Sequence, residues 1–305
     1  MKSRRIYITF AFLFGISAAI AQQQVMFTQY MFNHLAINPA YAGSHGTLSI
    51  TALARKQWAG LEGAPSTQTL SAHLPIKNQR VGAGLILIND KIGVTKQTGV
   101  YNAYSYRIPF QNGGRLAFGL QIGFTAYNAQ FSKVSDTDPT FAGDIKEVHP
   151  NVGGGLFYST KLFYVGFSAP QLIQNTFDKD NLDSDSKMLR HYFLTAGYVF
   201  TLNRQLKLKP NFLVKAVSGA PVQLDLNLNL LMQEVLWVGV SWRSFESVDA
   251  LLQFQITEKF QFGYSYDFST TTKLSRVNNG SHEVSLNYRM LQKKQRSKFL
   301  TPQYF

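Results

Sequence analysis

The side chains of this sequence that could perform covalent chemistry are serine and histidine groups. Ser71 and His73 lie two residues apart, and Ser281, His282 and Glu283 are consecutive. A serine hydrolase needs a serine, a histidine and a carboxylate brought together. Alternate side chains of a strand share a face, so Ser71 and His73 share one, whereas His282 faces away from Ser281 and Glu283. Strand patterning explains both groups, and we expect the protein not to be an enzyme.

Other motifs for catalysis or ligand binding are missing from the sequence. It contains no Gly-x-x-x-x-Gly-Lys loop for phosphates, no Gly-x-Ser-x-Gly elbow and no His-Glu-x-x-His helix for zinc. Gly113-Gly114 and the run at 153–155 are typical of turns and close packing. With no cysteine in the chain, we also expect no disulfide and no thiolate metal site. The sequence therefore predicts no catalytic residue, no cofactor and no metal ion.

Basic and aromatic side chains are plentiful, which raises the question of nucleic-acid binding. The formal net charge is +13, or +10 without Lys2, Arg4 and Arg5, and 14% of the residues are aromatic. A nucleic-acid reader would cluster these residues into a basic stripe or a stacking platform. Here they recur along strands, which is typical of aromatic girdles at membrane interfaces. We expect no nucleic-acid partner, and expect the charge to face anionic lipid headgroups, the lumen or an acidic protein.

The first residues indicate export. Lys2, Arg4 and Arg5 precede an apolar run at 6–20, and the run ends in an Ala-x-Ala site at Ala21. This run is shorter than the span of about 20 residues that a membrane helix needs, and a polar Gln-Gln-Gln follows it. We predict a signal peptide at 1–21, cleaved after Ala21.

The rest of the chain is dominated by alternation of apolar and polar residues. At 222–230 every even position is Val or Leu and every odd position is Gln, Asp or Asn, and similar patterns recur at 116–125, 260–267 and 283–288. Only 15% of the residues are charged, against roughly 25% in soluble domains. Low charge and period-two strands predict an all-β, antiparallel transmembrane barrel at 46–290. Alternation alone leaves open which face lies inside.

Strand count and loop lengths support the barrel. If consecutive strands alternate in direction, the short connections fall at one end of the barrel. The long connections at 127–149, 170–190 and 269–280 all fall at the other end, as in outer-membrane barrels. The fourteen predicted strands lie near 46–57, 66–76, 81–89, 97–108, 114–126, 150–160, 162–169, 190–201, 205–216, 221–232, 235–244, 248–257, 259–268 and 281–290.

Two segments lie outside the predicted strands. At 22–45, Phe27, Tyr30, Met31, His34 and Leu35 have helical spacing before Asn-Pro ends the run. We predict a short helix there, either periplasmic or inside the lumen as a plug. The segment 291–305 carries four basic residues at 293–298, and we predict a basic periplasmic tail.

Two stretches are richer in Tyr, Asn, Gln and Trp than a barrel requires. The first comprises 27–33 (FTQYMFN) and 38–43 (NPAYAG), and the second runs from 55 to 65 (RKQWAGLEGAP) and on through 67–73 (TQTLSAH). A plug packed against the first hairpin and a partner-binding site explain them equally well, and the two are compatible. The candidate contact residues are Tyr30, Asn33, Asn38, Pro39, Tyr41, Gly43, Gln57, Trp58, Gly63, Pro65, Gln68 and His73.

These two stretches resemble the signature of the PorP/SprF family of type IX secretion outer-membrane proteins from Bacteroidota. The last predicted strand, 281–288 (SHEVSLNY), resembles the end of that family and adds His282 and Glu283 to the candidate contacts. The resemblance implies a barrel in the outer membrane whose partners are type IX secretion components. It also implies a secreted surface protein as partner, such as a large gliding adhesin with a C-terminal secretion domain.

Three readings of function remain open at this point. The first is a plugged, non-enzymatic barrel that supports secretion or surface anchoring of the partner. The second is a machinery component that links the outer membrane to the periplasmic ring and motor. The third is a passive porin, which needs only a polar lumen. A membrane-embedded lipid hydrolase would require a reactive serine or histidine triad.

Overall fold

The computed structural model describes residues 25–76, 79–133, 144–175, 188–270 and 278–290. The predicted signal peptide with its cleavage site and the predicted basic tail lie outside these residues. The strands are β1 Ser49–Lys56, β2 Ser66–Pro75, β3 Val81–Ile92, β4 Thr95–Pro109, β5 Arg115–Ala129, β6 Ile145–Ser159, β7 Phe163–Ala169, β8 His191–Tyr198, β9 Phe200–Thr201, β10 Leu206–Val217, β11 Gln223–Met232, β12 Leu236–Arg243, β13 Ser247–Gln255, β14 Phe260–Ser269 and β15 Ser281–Arg289.

The strands form one closed antiparallel barrel. Each strand pairs with the next in sequence, except that β8 and β9 both pair with β10. β15 pairs with β1 from Arg289 opposite Ser49 to His282 opposite Lys56, which closes the sheet. The short β9 continues β8 after a break at Val199, so the wall has fourteen strand positions. The prediction of a fourteen-stranded antiparallel barrel is confirmed.

The apolar face of each strand points outward. On β11, Leu226 and Leu228 are 46% and 45% exposed, whereas Asp225 and Asn227 are buried in the lumen. This is the inverse of a soluble sandwich, and it is the arrangement that a bilayer requires because the solvent outside is hydrocarbon.

The connections differ in length at the two ends of the barrel. One end, here the short-turn end, has the connections 76–80, 110–114, 160–162, 202–205, 233–235 and 256–259. The other, the long-loop end, has 57–65, 93–94, 130–144, 170–190, 218–222, 244–246 and 270–280. Outer-membrane barrels keep short turns in the periplasm and longer loops outside, so the long-loop end is the external one.

Four predicted strand ends were wrong by three or more residues. β1 begins at Ser49 and not at 46, β3 ends at Ile92 and not at 89, and the hairpin β5–β6 is longer than predicted. The predicted strands ended at 126 and began at 150, but β5 continues to Ala129 and β6 begins at Ile145. Backbone pairing extends the hairpin to Ala129 opposite Ile145, beyond the apolar alternation that the prediction followed. The hairpin β5–β6 therefore reaches further toward the outside than the pattern of apolar residues indicates.

Four 3₁₀ helices lie wholly within the described residues, at Tyr30–Phe32, His34–Ala36, Pro39–Tyr41 and Phe131–Lys133. In this part of the chain, no helix has the length and apolar character needed to cross a membrane.

Candidate functional site: the filled lumen

Residues 25–48, here called the lumenal segment, run through the inside of the barrel. All of them are buried except Val25, Phe32 and Leu48, which are half-buried. The predicted short helix is instead three consecutive 3₁₀ helices, since the chain bends at Asn33 and Asn38 to place polar side chains against the wall. At Asn38 the side chain accepts the N–H of Ala40 (2.9 Å) and so caps the third of them.

The lumenal segment crosses the barrel from one end to the other. Val25 and Phe27 line a cavity together with Gln97 of β4 and His191 of β8, close to the long-loop end. Gly43 contacts Arg107 of β4, at the short-turn end, shortly before the chain enters β1. The segment therefore occupies the lumen along its length.

Glu283 of β15 holds the part of the segment that lies toward the long-loop end. Its two carboxylate oxygens accept the backbone N–H groups of Thr28 (2.9 Å) and Gln29 (2.8 Å). The Gln29 amide donates back to the Glu283 carbonyl (3.1 Å) and accepts from the Ser285 hydroxyl (2.7 Å). Hydrogen bonds to an ionised acceptor are about twice as strong as neutral ones, so this carboxylate is a principal anchor.

Arg55 of β1 links this anchor to a second carboxylate. Its guanidinium contacts Asp267 of β14 (2.7 Å) and Glu283 (3.2 Å), and it donates to the Thr28 hydroxyl (2.8 Å). Thr28 in turn donates to Asp267 (2.8 Å). All four side chains are buried, and the network joins the first strand, the last two strands and the lumenal segment.

Further along the segment, at residues 30 and 33, the contacts with the wall use neutral side chains. The Tyr30 hydroxyl donates to Asn211 of β10 (2.9 Å) and accepts from Asn227 of β11 (2.9 Å). Asn33 accepts from Ser71 of β2 (2.8 Å). The segment is thereby tied to opposite sides of the wall, and Ser71 is used to hold it.

Glycines in the wall allow the segment to approach the strands closely. Asn38 donates to the Leu156 carbonyl of β6 (2.9 Å). A Cβ at Gly155 would overlap the Asn38 amide, and a Cβ at Gly119 would overlap the backbone of Pro39 and Ala40. Glycine is required at these positions because the segment's own backbone fills the space of a side chain.

We expect Gly119→Ala to destabilise the filled barrel by about 1–3 kcal/mol, the usual cost of overpacking. The new methyl meets backbone atoms of the segment, which cannot rotate away. Thermal unfolding in detergent measures the effect. Gly154→Ala is the matched control, because a Cβ there faces outward and meets only the Gly119 carbonyl at 3.7 Å. Equal melting temperatures for the two variants would contradict the prediction.

At the short-turn end, Arg107, Ser105 and His73 of the wall hold the segment. Arg107 donates to the carbonyls of Gly43 (2.6 Å) and Ala42 (3.0 Å), and Ser105 also donates to Ala42 (2.7 Å). The Gly43 N–H donates to His73 Nδ1 (3.0 Å). Gly43 has φ +69°, a conformation that favours glycine, so the turn into β1 depends on this residue.

His34 lies in an aromatic cage in the middle of the lumen. Its ring stacks on Tyr41 (5.0 Å between centroids) and meets Tyr164 and Phe157 edge-on at 5.1 and 6.0 Å. His34 is buried among these rings, which fix its position in the lumen.

The other predicted contacts lie away from the lumen. Gln57, Trp58, Gly63 and Pro65 are in or beside the 57–65 connection at the long-loop end. Gln68 is on the outer face of β2 and accepts from Asn89 (2.6 Å).

His282 also faces outward, where its Nδ1 pairs with the Tyr264 hydroxyl (2.8 Å). The alternation predicted this separation from Ser281 and Glu283, both of which are buried inside. No Ser-His-carboxylate arrangement is therefore formed by these three residues.

Sequence reasoning missed several wall residues of the site. Arg55, Ser105, Arg107, Asn211, Asn227 and Asp267 all hold the segment. Their signal was present, since each is a polar residue at an inward position of its strand, but many such residues line a polar lumen. Which of these residues contact the segment depends on their positions along the barrel axis, and these follow from the register of strands that are far apart in sequence.

Comparisons with known proteins give one family and a shared fold. A family described as type IX secretion system membrane protein PorP/SprF matches residues 19–288. The monoaromatic hydrocarbon channel CymD has a similar fold, at TM-score 0.50 and 10% identity over 88% of this chain and 93% of that one. The Acinetobacter baumannii outer membrane protein Omp33 matches at TM-score 0.43 and 10% identity, over 80% and 98% of the two chains. No curated protein matches the chain.

Proposed function

Because the chain belongs to the type IX secretion system membrane protein PorP/SprF family, we propose that it anchors or helps to export a secreted partner at the cell surface. The coarse role, an outer-membrane component of type IX secretion rather than an enzyme, follows from the family and the barrel. The proposed partner is a large surface protein, such as an adhesin with a C-terminal secretion domain. Residues 25–48 fill the lumen, and this single observation carries the choice of a binding role over a conducting one.

The long-loop end supplies the proposed receiving surface. A cavity there is lined by apolar residues such as Phe27 and Met188 and by polar ones such as Asp90, Gln97 and His191, so it offers both apolar and polar contacts to a protein partner. At the same end, Phe245 is 76% exposed at the tip of the 244–246 turn. Its φ of +65° is costly for a bulky residue, and such strain is common at binding sites.

Exposed aromatic residues of this kind are typical anchors of protein interfaces, because a ring buries much surface and loses little conformational entropy. Arg243 of β12 holds the turn by contacting Asp225 (2.9 Å) and Glu246 (3.4 Å). The turn therefore presents Phe245 from a fixed base rather than from a long loop.

Two alternatives make different predictions. A machinery role would place the main partner at the short-turn end, in contact with the periplasmic ring or motor. A passive porin needs a continuous aqueous path, and the buried lumenal segment weighs against it.

The experiment is isolation of the tagged protein from native outer membranes in mild detergent, followed by mass spectrometry. A co-purifying large protein with a C-terminal secretion domain supports the proposal. Ring or motor proteins instead support the machinery role. The barrel alone, conducting ions in a planar bilayer, would overturn the proposal in favour of the porin.

A matched pair of variants locates the contact. We expect Phe245→Ser at the long-loop end to weaken partner capture by about tenfold or more, as expected for an interface aromatic. Phe110→Ser is the control, because Phe110 is also exposed (44%) but lies in a short turn. Equal capture by both variants would exclude Phe245 from the contact.

A further inference from the structure

A groove crosses the outer, lipid-facing surface of the barrel and is not explained by the filled lumen. It has a volume of about 590 Å³ and lies over β7 to β13. Its floor is made by small or recessed residues, Ala196, Pro210 and Phe212, and its walls by taller ones. The wall residues are Phe163, Tyr198, Phe200, Leu226, Leu228, Val240, Trp242 and Val248.

The sequence of β10 produces this groove. Pro210 has no N–H, and the ladder between β8 and β10 is interrupted there: Asn211 pairs with Gly197, and Leu208 next pairs with Phe200. The outward side chains of β10 are half-buried. Those of β11 are more exposed, for example Leu226 at 46% and Leu228 at 45%. The recessed outward residues of β8 and β10 lie beside the taller side chains of β11 and form the floor of the groove.

The surface of the groove is hydrocarbon and aromatic, so it suits an uncharged chain. A long flexible alkyl chain packs closely only where side chains match its width, and a low floor of Ala196, Pro210 and Phe212 between taller side chains provides this match. The groove begins beside Phe163 and Phe200, near the short-turn end of the barrel.

Charge at that end selects the rest of the ligand. Lys161 lies two residues before Phe163, and Arg204 lies four residues after Phe200, each on an exposed turn. Neither forms an ion pair with a described residue. Basic side chains at a membrane surface attract anionic headgroups by about 1 kcal/mol each.

We propose that the groove binds one acyl chain of an anionic phospholipid of the periplasmic leaflet, with its phosphate held between Lys161 and Arg204. The site rests on the outer-membrane location and not on the identity of the secreted partner. It gives the barrel a lipid that stays attached on the side formed by β8 to β11.

Native mass spectrometry tests the site. Wild-type barrel is reconstituted with equal amounts of palmitoyl-chain phosphatidylglycerol and phosphatidylethanolamine and then transferred to detergent. We expect one phosphatidylglycerol to remain bound. The double variant Lys161→Gln, Arg204→Gln should lower its preference over phosphatidylethanolamine by about thirtyfold, the equivalent of two such charges.

Filling the floor separates the groove from general charge attraction. Ala196→Phe should remove retention of both lipids, whereas Ala52→Phe, on the outer face of β1 and away from the groove, should leave it unchanged. Arg80→Gln with Lys259→Gln removes two charges elsewhere on the short-turn end and should also have no effect. Equal retention of the two lipids by wild type, or undiminished retention by Ala196→Phe, would overturn the proposal.

Discussion

Deleting residues 26–45 is expected to convert a closed barrel into an ion-conducting pore. The wall that remains is lined by Arg55, Asn211, Asn227 and Asp267, which are now held against the lumenal segment and would instead face water. A polar lumen without its filling admits water and ions, as in porins. Planar-bilayer recording should show steady current for the deletion variant and none for the intact protein.

The deletion also tests what closes the lumen. The variant must first be shown to be folded, by its β-type circular dichroism and its resistance to denaturation in detergent. A folded deletion variant that does not conduct would mean that the segment is not the barrier. Intact protein that conducts as strongly as the variant would contradict the closed lumen itself.

Glu283→Ala is expected to release the part of the lumenal segment around Thr28 and Gln29 from the wall, while the segment itself stays complete. The change deletes the acceptor of two backbone N–H groups and one partner of buried Arg55. Breaking a buried charged pair costs about 3–5 kcal/mol, because the remaining charge stays buried. The opening of the segment should therefore become about a hundredfold or more frequent.

Cysteine labelling measures this release, since the natural chain has no cysteine. Met26 is buried and makes no polar contact that would be lost, so Met26→Cys reports exposure of the segment. Maleimide should react with it about a hundredfold faster or more in the Glu283→Ala background. Glu258→Ala, which removes an exposed carboxylate from a short turn, is the control. Equal rates in both backgrounds would show that Glu283 does not hold the segment.

The barrel could be predicted from sequence because its signal is local. On β11 and β14 each residue reports its own face, and the register then follows from short turns between neighbouring strands. The prediction failed at Ala129 and Ile145, where the strands extend into water and hydrophobic alternation is no longer required. Pairing there depends on the neighbouring strand β4 and is not visible in β5 or β6 alone.

The contacts that hold the lumenal segment could not be predicted in the same way. Thr28 and Glu283 are 255 positions apart, and Tyr30 and Asn211 are 181 apart. Local periodicity marks these wall residues as inward-facing, but their height in the lumen follows from the tilt and register of every strand between them. His282 shows the limit of composition: it sits beside the anchor Glu283 in sequence, and alternation places it on the opposite face.

The network around Arg55 joins the first strand, the last two strands and residues 28–29, and this has a consequence for folding. These contacts have among the largest sequence separations in the chain, such as 255 for Thr28 with Glu283. Contacts of this kind form late, because most of the chain must already be ordered before they become favourable. The β1–β15 seam and the seating of Thr28 share Glu283. Closure of the β1–β15 seam and entry of the lumenal segment are therefore expected to be one kinetic step, in which the wall closes around the segment that it encloses.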